Sequence, residues 1–565
     1  MINKKNEEIV SKFFEKGILL NEEILQKNLD LGLLDKIETE EDLLVLNQDY
    51  AEVITRQSNL VDWYDVDRYR VRAEKDRDDD LYQSQLQDFK SSTITLKEKK
   101  SEIKQVIASI ETALVDNASE FTVEGCGSRE DDASLGLTND NLPLQSPRKV
   151  TIVLSYQNLP KKYVVRDFSK IFVSRYKFLE KILQNHQELK NPLTITRLIL
   201  KQDKEQVSII GIISDIAETK NGNIIVTLED TTGDVKVLIS KNKSELYHQG
   251  KDLVLDEVIG VTGVCGDKII FAERIIWPDI PQNHDLKRSL EEEYAVFLSD
   301  IHVGSTFFLK KEFERFLKWI GGDFGNDVQK TIAKKVKYIF IAGDLVDGVG
   351  IYPSQETELE IKDIKGQYGE FARLIKKIPN NISIIICPGN HDVVHLAEPQ
   401  PAFYQEFSPG LFELSNVKLV TNPSVINIGK TETFEGFDVL MYHGYSFDYY
   451  VANVESIRAS GGYHRSDLIM KFLLKRRHLA PSFRSTPYFP AYPEDPLLIK
   501  TIPDFFLTGH IHYSCVANYR GITMISGSCW QAKTDFQEKL GHEPEPARVP
   551  VVNLRTREIK VLRFG

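Results

Sequence analysis

The sequence is short of cysteine, of long apolar runs and of positive charge, and each shortage removes a class of function. Its five cysteines, Cys126, Cys265, Cys387, Cys515 and Cys529, are scattered over 565 residues without a Cys-x-x-Cys pair. That pattern excludes a disulfide framework and a thiolate zinc site, and leaves reduced, mostly buried thiols. No apolar stretch approaches the roughly 20 residues needed to span a bilayer. The start, Met1-Ile2-Asn3-Lys4-Lys5-Asn6-Glu7-Glu8, lacks the apolar core of a signal peptide. A cytoplasmic protein without a membrane partner is expected. Lys and Arg number 71 against 83 Asp and Glu, a net charge of −12. Holding phosphates draws on Lys and Arg, so this chain is not a stand-alone DNA binder. Either its substrate is small or a basic partner subunit carries most of the DNA affinity.

The remaining composition, 41% hydrophobic and 27% charged, is that of a soluble globular chain long enough for two to four domains. Over residues 1–50, apolar positions such as Ile9, Phe13, Ile18, Leu25, Leu29 and Leu33 recur mostly three to five apart, which predicts a small helical domain. Residues 51–164 carry charge runs such as Glu74-Lys75-Asp76-Arg77-Asp78-Asp79-Asp80 and then Asn, Asp, Ser and Gly; this reads as a largely disordered linker. Residues 165–194 read as a helical segment, with Phe168, Phe172, Tyr176, Leu179 and Leu183 on one face. Residues 195–281 change to strand-like runs, 207–216, 224–228, 235–239, 258–264 and 268–276, with a helical stretch at 241–248 after the third. Five strands with a helix in that place are the order of an OB-fold barrel. With few aromatics and no strong basic run, the barrel reads as a packing module ahead of a nucleic-acid binder.

From about residue 290 onward, five apolar runs each end in metal-binding residues: Asp300 with His302, Asp344, Asn390 with His391, His443, and His510 with His512. Short aliphatic and aromatic runs closed by Gly or Pro are buried strands. Each ligand therefore sits where a strand gives way to a loop, held rigidly yet open to solvent. One such fragment is common by chance, whereas five in order within one domain length are not. Imidazole with carboxylate and amide oxygens, and no thiolate, suits manganese first, with iron, zinc and magnesium as alternatives. Asp344, central in the series, is the candidate bridge between two divalent ions. Asp300, His302 and His512 complete one ion, and Asn390, His443 and His510 the other. Two ions so placed suit in-line displacement at phosphorus, hence phosphoester hydrolysis. His391 is left to stabilise charge on the scissile phosphate or to protonate the leaving oxygen. Asp347 and Asp392 divide evenly between orienting the ligands and capping loops.

The series Asp300-Ile301-His302, Gly343-Asp344-Leu345-Val346-Asp347, Gly389-Asn390-His391-Asp392, His443-Gly444 and Gly509-His510-Ile511-His512 resembles the calcineurin-like metallophosphoesterase superfamily. The resemblance implies a four-layer αββα domain over 290–565 with two metals at the strand ends, so that the whole is a multidomain α+β protein. An OB-fold directly before such a domain, together with Met470-Lys471-Phe472-Leu473-Leu474-Lys475-Arg476-Arg477-His478-Leu479-Ala480-Pro481 ahead of the last motif, is similar to the small subunits of archaeal family D DNA polymerases. That likeness covers about 165–565. It implies a 3′–5′ exonuclease that proofreads unpaired DNA 3′ ends, a large catalytic subunit as partner, and a nucleoid-associated place in an archaeal cytoplasm. It also implies a sliding clamp; since no clamp-binding peptide is readable here, the clamp is expected through the complex. Lys475, Arg476 and Arg477 are candidate contacts to a DNA strand or to the partner subunit. A non-catalytic scaffold and a metallophosphatase are the alternative readings.

Overall fold

The computed structural model describes residues 18–20, 44–46, 150–156, 162–198, 201, 204–490, 494–534, 537–538 and 542–565. The chain divides into two units, 1–136 and 137–565. In the first, β1 (Ile18–Leu20) and β2 (Leu44–Leu46) pair in parallel. These six residues are strand where helices are expected, and the rest of the expected helical domain lies outside the described residues. So does most of the expected linker, but its end does not. Val150-Thr-Ile-Val-Leu154 forms β3, a short β-branched run that the surrounding polar composition conceals.

The second unit starts with β3 and the amphipathic helix α1 (Val165–Gln184), which buries Ile171, Tyr176, Leu179 and Leu183 on one face. The barrel follows: β4 (Gln206–Glu218), β5 (Ile224–Glu229), β6 (Asp234–Ile239), helix α2 (Ser244–Lys251), β7 (Val258–Gly266) and β8 (Ile269–Ile276). It closes in the order β4-β5-β6-β8-β7 around Ile209, Ile213, Val226, Leu228, Val237 and Ile270. Gly263 makes the closure feasible. A Cβ there meets the Phe271 carbonyl carbon at 3.0 Å and Ile270 Cγ2 at 2.9 Å, so only glycine lets β7 and β8 approach.

Two six-stranded sheets then form the large domain. The first contains β9 (Tyr294–Leu298), β10 (Val336–Ala342), β11 (Ser383–Cys387) and β12 (Val417–Leu419), all parallel, with β18 (Arg548–Asn553) and β19 (Ile559–Arg563) added antiparallel beyond β9. The second holds β13 (Ser424–Ile428), β14 (Phe437–Met441), β15 (Phe505–Thr508), β16 (Cys515–Tyr519) and β17 (Ile522–Ser526), and β3 is its edge strand, antiparallel to β13. The sheets pack through Ala295, Phe297, Phe340, Ile385, Val439 and Phe505. Helices α3 (Lys310–Ile320) and α4 (Ile364–Ile375) cover the first sheet, and α5 (Ser466–Arg476) covers the second. This is the four-layer arrangement. Strands β9, β11 and β15 are buried at every residue, as parallel strands covered on both faces must be. Among the described residues no helix is long and apolar enough to cross a membrane.

Candidate metal centre

All five ligand segments lie just beyond the C-terminal ends of parallel strands: Asp300 after β9, Asp344 after β10, Asn390 after β11, His443 after β14 and His510 after β15. Two different sheets thus deliver their strand ends to one place. The backbone there turns abruptly. Asp300, His302, Asp344, His510 and His512 all have positive φ, between 52° and 70°. For side chains with a Cβ this left-handed conformation costs about 1–2 kcal/mol each. Strain held at five converging ligands is characteristic of a site whose geometry serves function.

The glycines of the motifs have a packing reason. A Cβ on Gly389 meets Asp344 N at 2.6 Å and His443 Cε1 at 2.8 Å. A Cβ on Gly509 meets Asp300 Oδ2 at 2.6 Å, and Gly343, at φ +83°, backs onto Gly389. The ligand-bearing turns pack against one another through backbone, with no room for side chains.

The donor atoms fit a pair of cations. Nδ1 of His443 donates to the Ala342 carbonyl at 2.8 Å, so its Nε2 presents a lone pair, 2.9 Å from Asn390 Oδ1 and 3.3 Å from Asp344 Oδ2. His510 gives its Nε2 proton to Asp448 Oδ2 at 2.9 Å and turns Nδ1 to Asn390 Oδ1 at 3.0 Å. Four acceptor atoms therefore face one point. A second convergence adjoins it. His302 Nε2 lies 3.0 Å from His512 Nε2 and 3.8 Å from Asp344 Oδ2, and His512 Nε2 lies 3.5 Å from Asp300 Oδ1. In the first set lone pairs converge without a proton to share and repel unless a cation lies between them; in the second, Gln537 Nε2 donates to His512 Nδ1 at 3.0 Å, so His512 Nε2 shares its proton with His302 Nε2. The structure brings together all seven residues expected as ligands, with Asp344 near both His302 and His443; Asp300, expected with His302 and His512, groups with Asp344 and His443 as well.

The electrostatics agree with that geometry. Burial opposes charge on Asp344, but His443, His391 and His302 outweigh it and hold the carboxyl well below its usual range. Burial likewise opposes charge on His443, yet Asp344 and Asp300 push its pKa up to about 10. The carboxylates that favour a proton on His443 Nε2 favour a divalent cation there equally, and a cation bound to Nε2 takes the place of that proton.

The neighbouring side chains hold the ligands in place. Asp347 accepts from His302 Nδ1 (3.2 Å), Gln531 Nε2 (2.7 Å) and Gln355 Nε2 (2.9 Å). Asp392 accepts from the backbone N–H of Gly389 (2.9 Å) and from the Tyr368 hydroxyl (3.0 Å), and burial followed by the Asp344 charge pushes its pKa up to about 7. His391 donates Nδ1–H to the Asp347 carbonyl at 2.7 Å, which leaves Nε2 free. Its pKa is lowered by burial, so the imidazole is neutral. Asp448, Gln531, Gln355 and Tyr368 escaped the sequence reading. No local motif marks any of the four.

A cleft of about 780 Å³ opens over His302, Asp344, Asn390, His391, His510 and His512, and among the described residues no Lys or Arg lines it. Its rim includes the exposed apolar side chains of Val349, Ile351 and Leu396. The three cations expected to contact a strand lie elsewhere. Arg476 is buried, with Nε 2.6 Å from Glu257 Oε2, and joins α5 to the barrel. Arg477 is also buried, donating to the carbonyls of Ile499 and Lys500. Neither stands on an exposed face of α5: Arg476 lies on the side of the helix packed inward, and Arg477 follows the helix as its C-cap, folded back on loop carbonyls. Lys475 rests over the Trp277 ring, 3.6 Å from its centroid.

Residues 295–514 match the calcineurin-like phosphoesterase family, and residues 207–268 match an OB-fold nucleic acid binding domain. The chain is 38% identical over 402 residues to the DNA polymerase II small subunit of Methanothermobacter thermautotrophicus, covering 71% of this chain and 80% of that one. It is 41% identical to the corresponding subunit of Methanocaldococcus jannaschii over 69% of this chain and 64% of that one. The Archaeoglobus fulgidus subunit is 39% identical over 71% and 78%.

Proposed function

Because the chain belongs to the archaeal DNA polymerase II small-subunit family and carries its metallophosphoesterase domain, we propose that its metal centre is a 3′–5′ exonuclease acting on unpaired DNA ends. The observation that carries this is the double convergence of ligand side chains on Asp344 beneath an open cleft. Two divalent ions held there, Mn²⁺ foremost, would supply the charge to activate a water and stabilise the departing oxygen. The chain's own residues do the rest. Asp344 would be the ligand common to both ions, with Asp300, His302 and His512 holding one and Asn390, His443 and His510 the other. Asp347 and Asp392 keep these ligands in their rotamers.

His391 is the acid. Its Nδ1 is committed to a carbonyl, so Nε2 alone is available to the substrate. Burial keeps the ring neutral in the free chain, and an entering phosphodiester anion favours its protonation. Water adds to the terminal phosphorus, the bond from phosphorus to the penultimate O3′ breaks, and His391 gives its proton to that oxygen. The products are a nucleoside 5′-monophosphate and a strand one residue shorter.

The cleft supports an unpaired end as substrate. With no Lys or Arg among the described residues of its lining, it offers little to a duplex backbone, whereas its rim of Val349, Ile351 and Leu396 offers apolar surface to an unstacked base. The large catalytic subunit supplies the polymerase site and most DNA contacts, consistent with the −12 charge of this chain. A sliding clamp engages through that complex.

The test is release of labelled nucleotide from the 3′ end of single-stranded DNA with Mn²⁺, comparing the chain with Asp344→Ala and His391→Ala, each bound to the large subunit. Stepwise shortening that both substitutions abolish is expected, with the His391 variant losing about 10²–10⁴-fold in rate while keeping its metals. No shortening with any divalent ion would reduce the chain to a scaffold. Hydrolysis confined to phosphomonoesters would make it a phosphatase.

A further inference from the structure

A second cavity, of about 890 Å³, opens where α1, the end of β8 and the C-terminus of α5 meet, and it shares no lining residue with the metal cleft. Its cations are unequally treated. Arg520 is paired with Asp279 at 3.0 Å, and Lys500 is paired with Glu494. Among the described residues no carboxylate forms an ion pair with Lys475 or Arg477; Asp279, which lines the same cavity and is committed to Arg520 and Tyr519, acts on both from farther away. The Lys475 ammonium has only the face of Trp277 beneath it, and Arg477, 4% exposed, spends Nε and Nη2 on backbone carbonyls and leaves Nη1 without a hydrogen bond. The neighbouring buried arginines are different: Arg476 has Glu257 at 2.6 Å and Arg175 has Asp495 at 2.7 Å. In an acidic chain that pairs its other cations here, two sequestered charges lining one cavity without a carboxylate in contact mark a place for an external anion.

The rest of the lining selects the kind of anion. Phe178 and Ile182, both half-buried, form an apolar wall, and the carboxamides of Asn185, Gln282 and Asn283 stand beside it. The volume falls within the range of small-molecule sites, about 300–1,000 Å³. An aromatic wall, amides able to read base edges and two unpaired cations together suit a nucleotide, not a bare carboxylate. We propose that this cavity binds a nucleotide phosphate on Lys475 and Arg477, with the base against Phe178 and Ile182. Free nucleotides and a single strand of DNA present the same chemistry. The electrostatics concur: burial, then Arg476, hold Lys475 down at about 8, and burial lowers Arg477 to about 10. A bound phosphate relieves both.

Equilibrium titration of the full-length chain in EDTA, which removes metal-assisted phosphate binding at the other site, tests this with pyrophosphate, dTMP, a thymidine decanucleotide and polyglutamate. Binding of the phosphate probes is expected, at least tenfold weaker in Lys475→Met and retained in Lys475→Arg, so that loss of fold and loss of charge are separated. Affinity should fall about tenfold from pH 7 to pH 9 as Lys475 loses its proton; the charged groups acting on it are Asp279 and Glu257 from the barrel side and Arg476 and Lys471 on its own helix. Equal affinity for dTMP and the oligonucleotide assigns a free nucleotide, and tighter oligonucleotide binding assigns a strand. Absence of phosphate binding, binding indifferent to Lys475→Met, or binding of polyglutamate alone would overturn the proposal.

Discussion

Asp448 gives the most discriminating test of the metal centre, because nothing in its sequence context marks it as a partner of a ligand. Its Oδ2 takes the Nε2 proton of His510 at 2.9 Å and so fixes the tautomer that turns a bare Nδ1 toward Asn390. Burial opposes the Asp448 charge, but His510 holds the carboxyl below its usual range. Asp448→Asn keeps the shape and removes the charge. The lost charge-assisted bond amounts to about 1.5–3 kcal/mol, which corresponds to a roughly 10–100-fold loss of metal affinity, the range expected for residues that orient ligands. The Asn amide can also donate to His510 and force its proton onto Nδ1, which closes the ligand position. Hydrolysis of a small phosphodiester, measured against Mn²⁺ concentration, separates the effects. The half-saturating Mn²⁺ concentration should rise 10–100-fold while the rate at saturating metal falls less than about threefold, the reverse of His391→Ala. An unchanged Mn²⁺ dependence would refute the claim that Asp448 sets the His510 tautomer.

Further expectations follow from other buried groups. His478 gives Nε2–H to Asp495 at 2.9 Å and accepts the Ala480 N–H on Nδ1, so a second proton has no place; burial and Arg175 lower its pKa from 6.5 to about 4. Its folded pKa is below the unfolded one, so the stability it contributes is complete above pH 6.5 and is lost as pH falls toward 4. The loss is about 3 kcal/mol overall and about 2 kcal/mol by pH 5. Urea unfolding in EDTA should show it as a difference from His478→Gln, and parallel curves from pH 7 to 4.5 would count against it. Arg476→Ala, which strands the buried Glu257 carboxylate, should cost about 3–5 kcal/mol, largely restored in Arg476→Met with Glu257→Leu; equal midpoints for the single and double variants would contradict this. Gly389→Ala should displace Asp344 and cut the hydrolysis rate by about 10²-fold with the circular dichroism spectrum unaltered, and a rate near that of the parent chain would mean the turns can yield.

The barrel and the polar residues at the strand ends were legible in the sequence for local reasons. Strands β4 to β8 carry β-branched runs with turn residues between them, and Asp300, Asp344, Asn390, His443 and His510 each follow an apolar run, closed by Gly or Pro before Asp344, Asn390 and His510, so a window of about ten residues contains the signal. The same locality explains what was missed. The run 150–154 reads as part of a polar linker until β13 offers it an edge. Lys475-Arg476-Arg477 reads as a basic patch, yet helix α5 has to bury one face, and Glu257, 219 residues away in sequence from Arg476, makes burial of that arginine feasible.

By itself, then, the sequence determined the strands, the turns and which chemical groups stand at the strand ends, since these depend on periodicity and on residues that accept tight or left-handed turns. Only the tertiary structure decided that two sheets bring those ends to one point, that Asp448, Gln531 and Gln355 orient the ligands there, and that Arg476 and Arg477 face inward. Partner choice and burial are properties of distant segments brought together, and the free energy of pairing a buried charge depends on a neighbour that no local window contains.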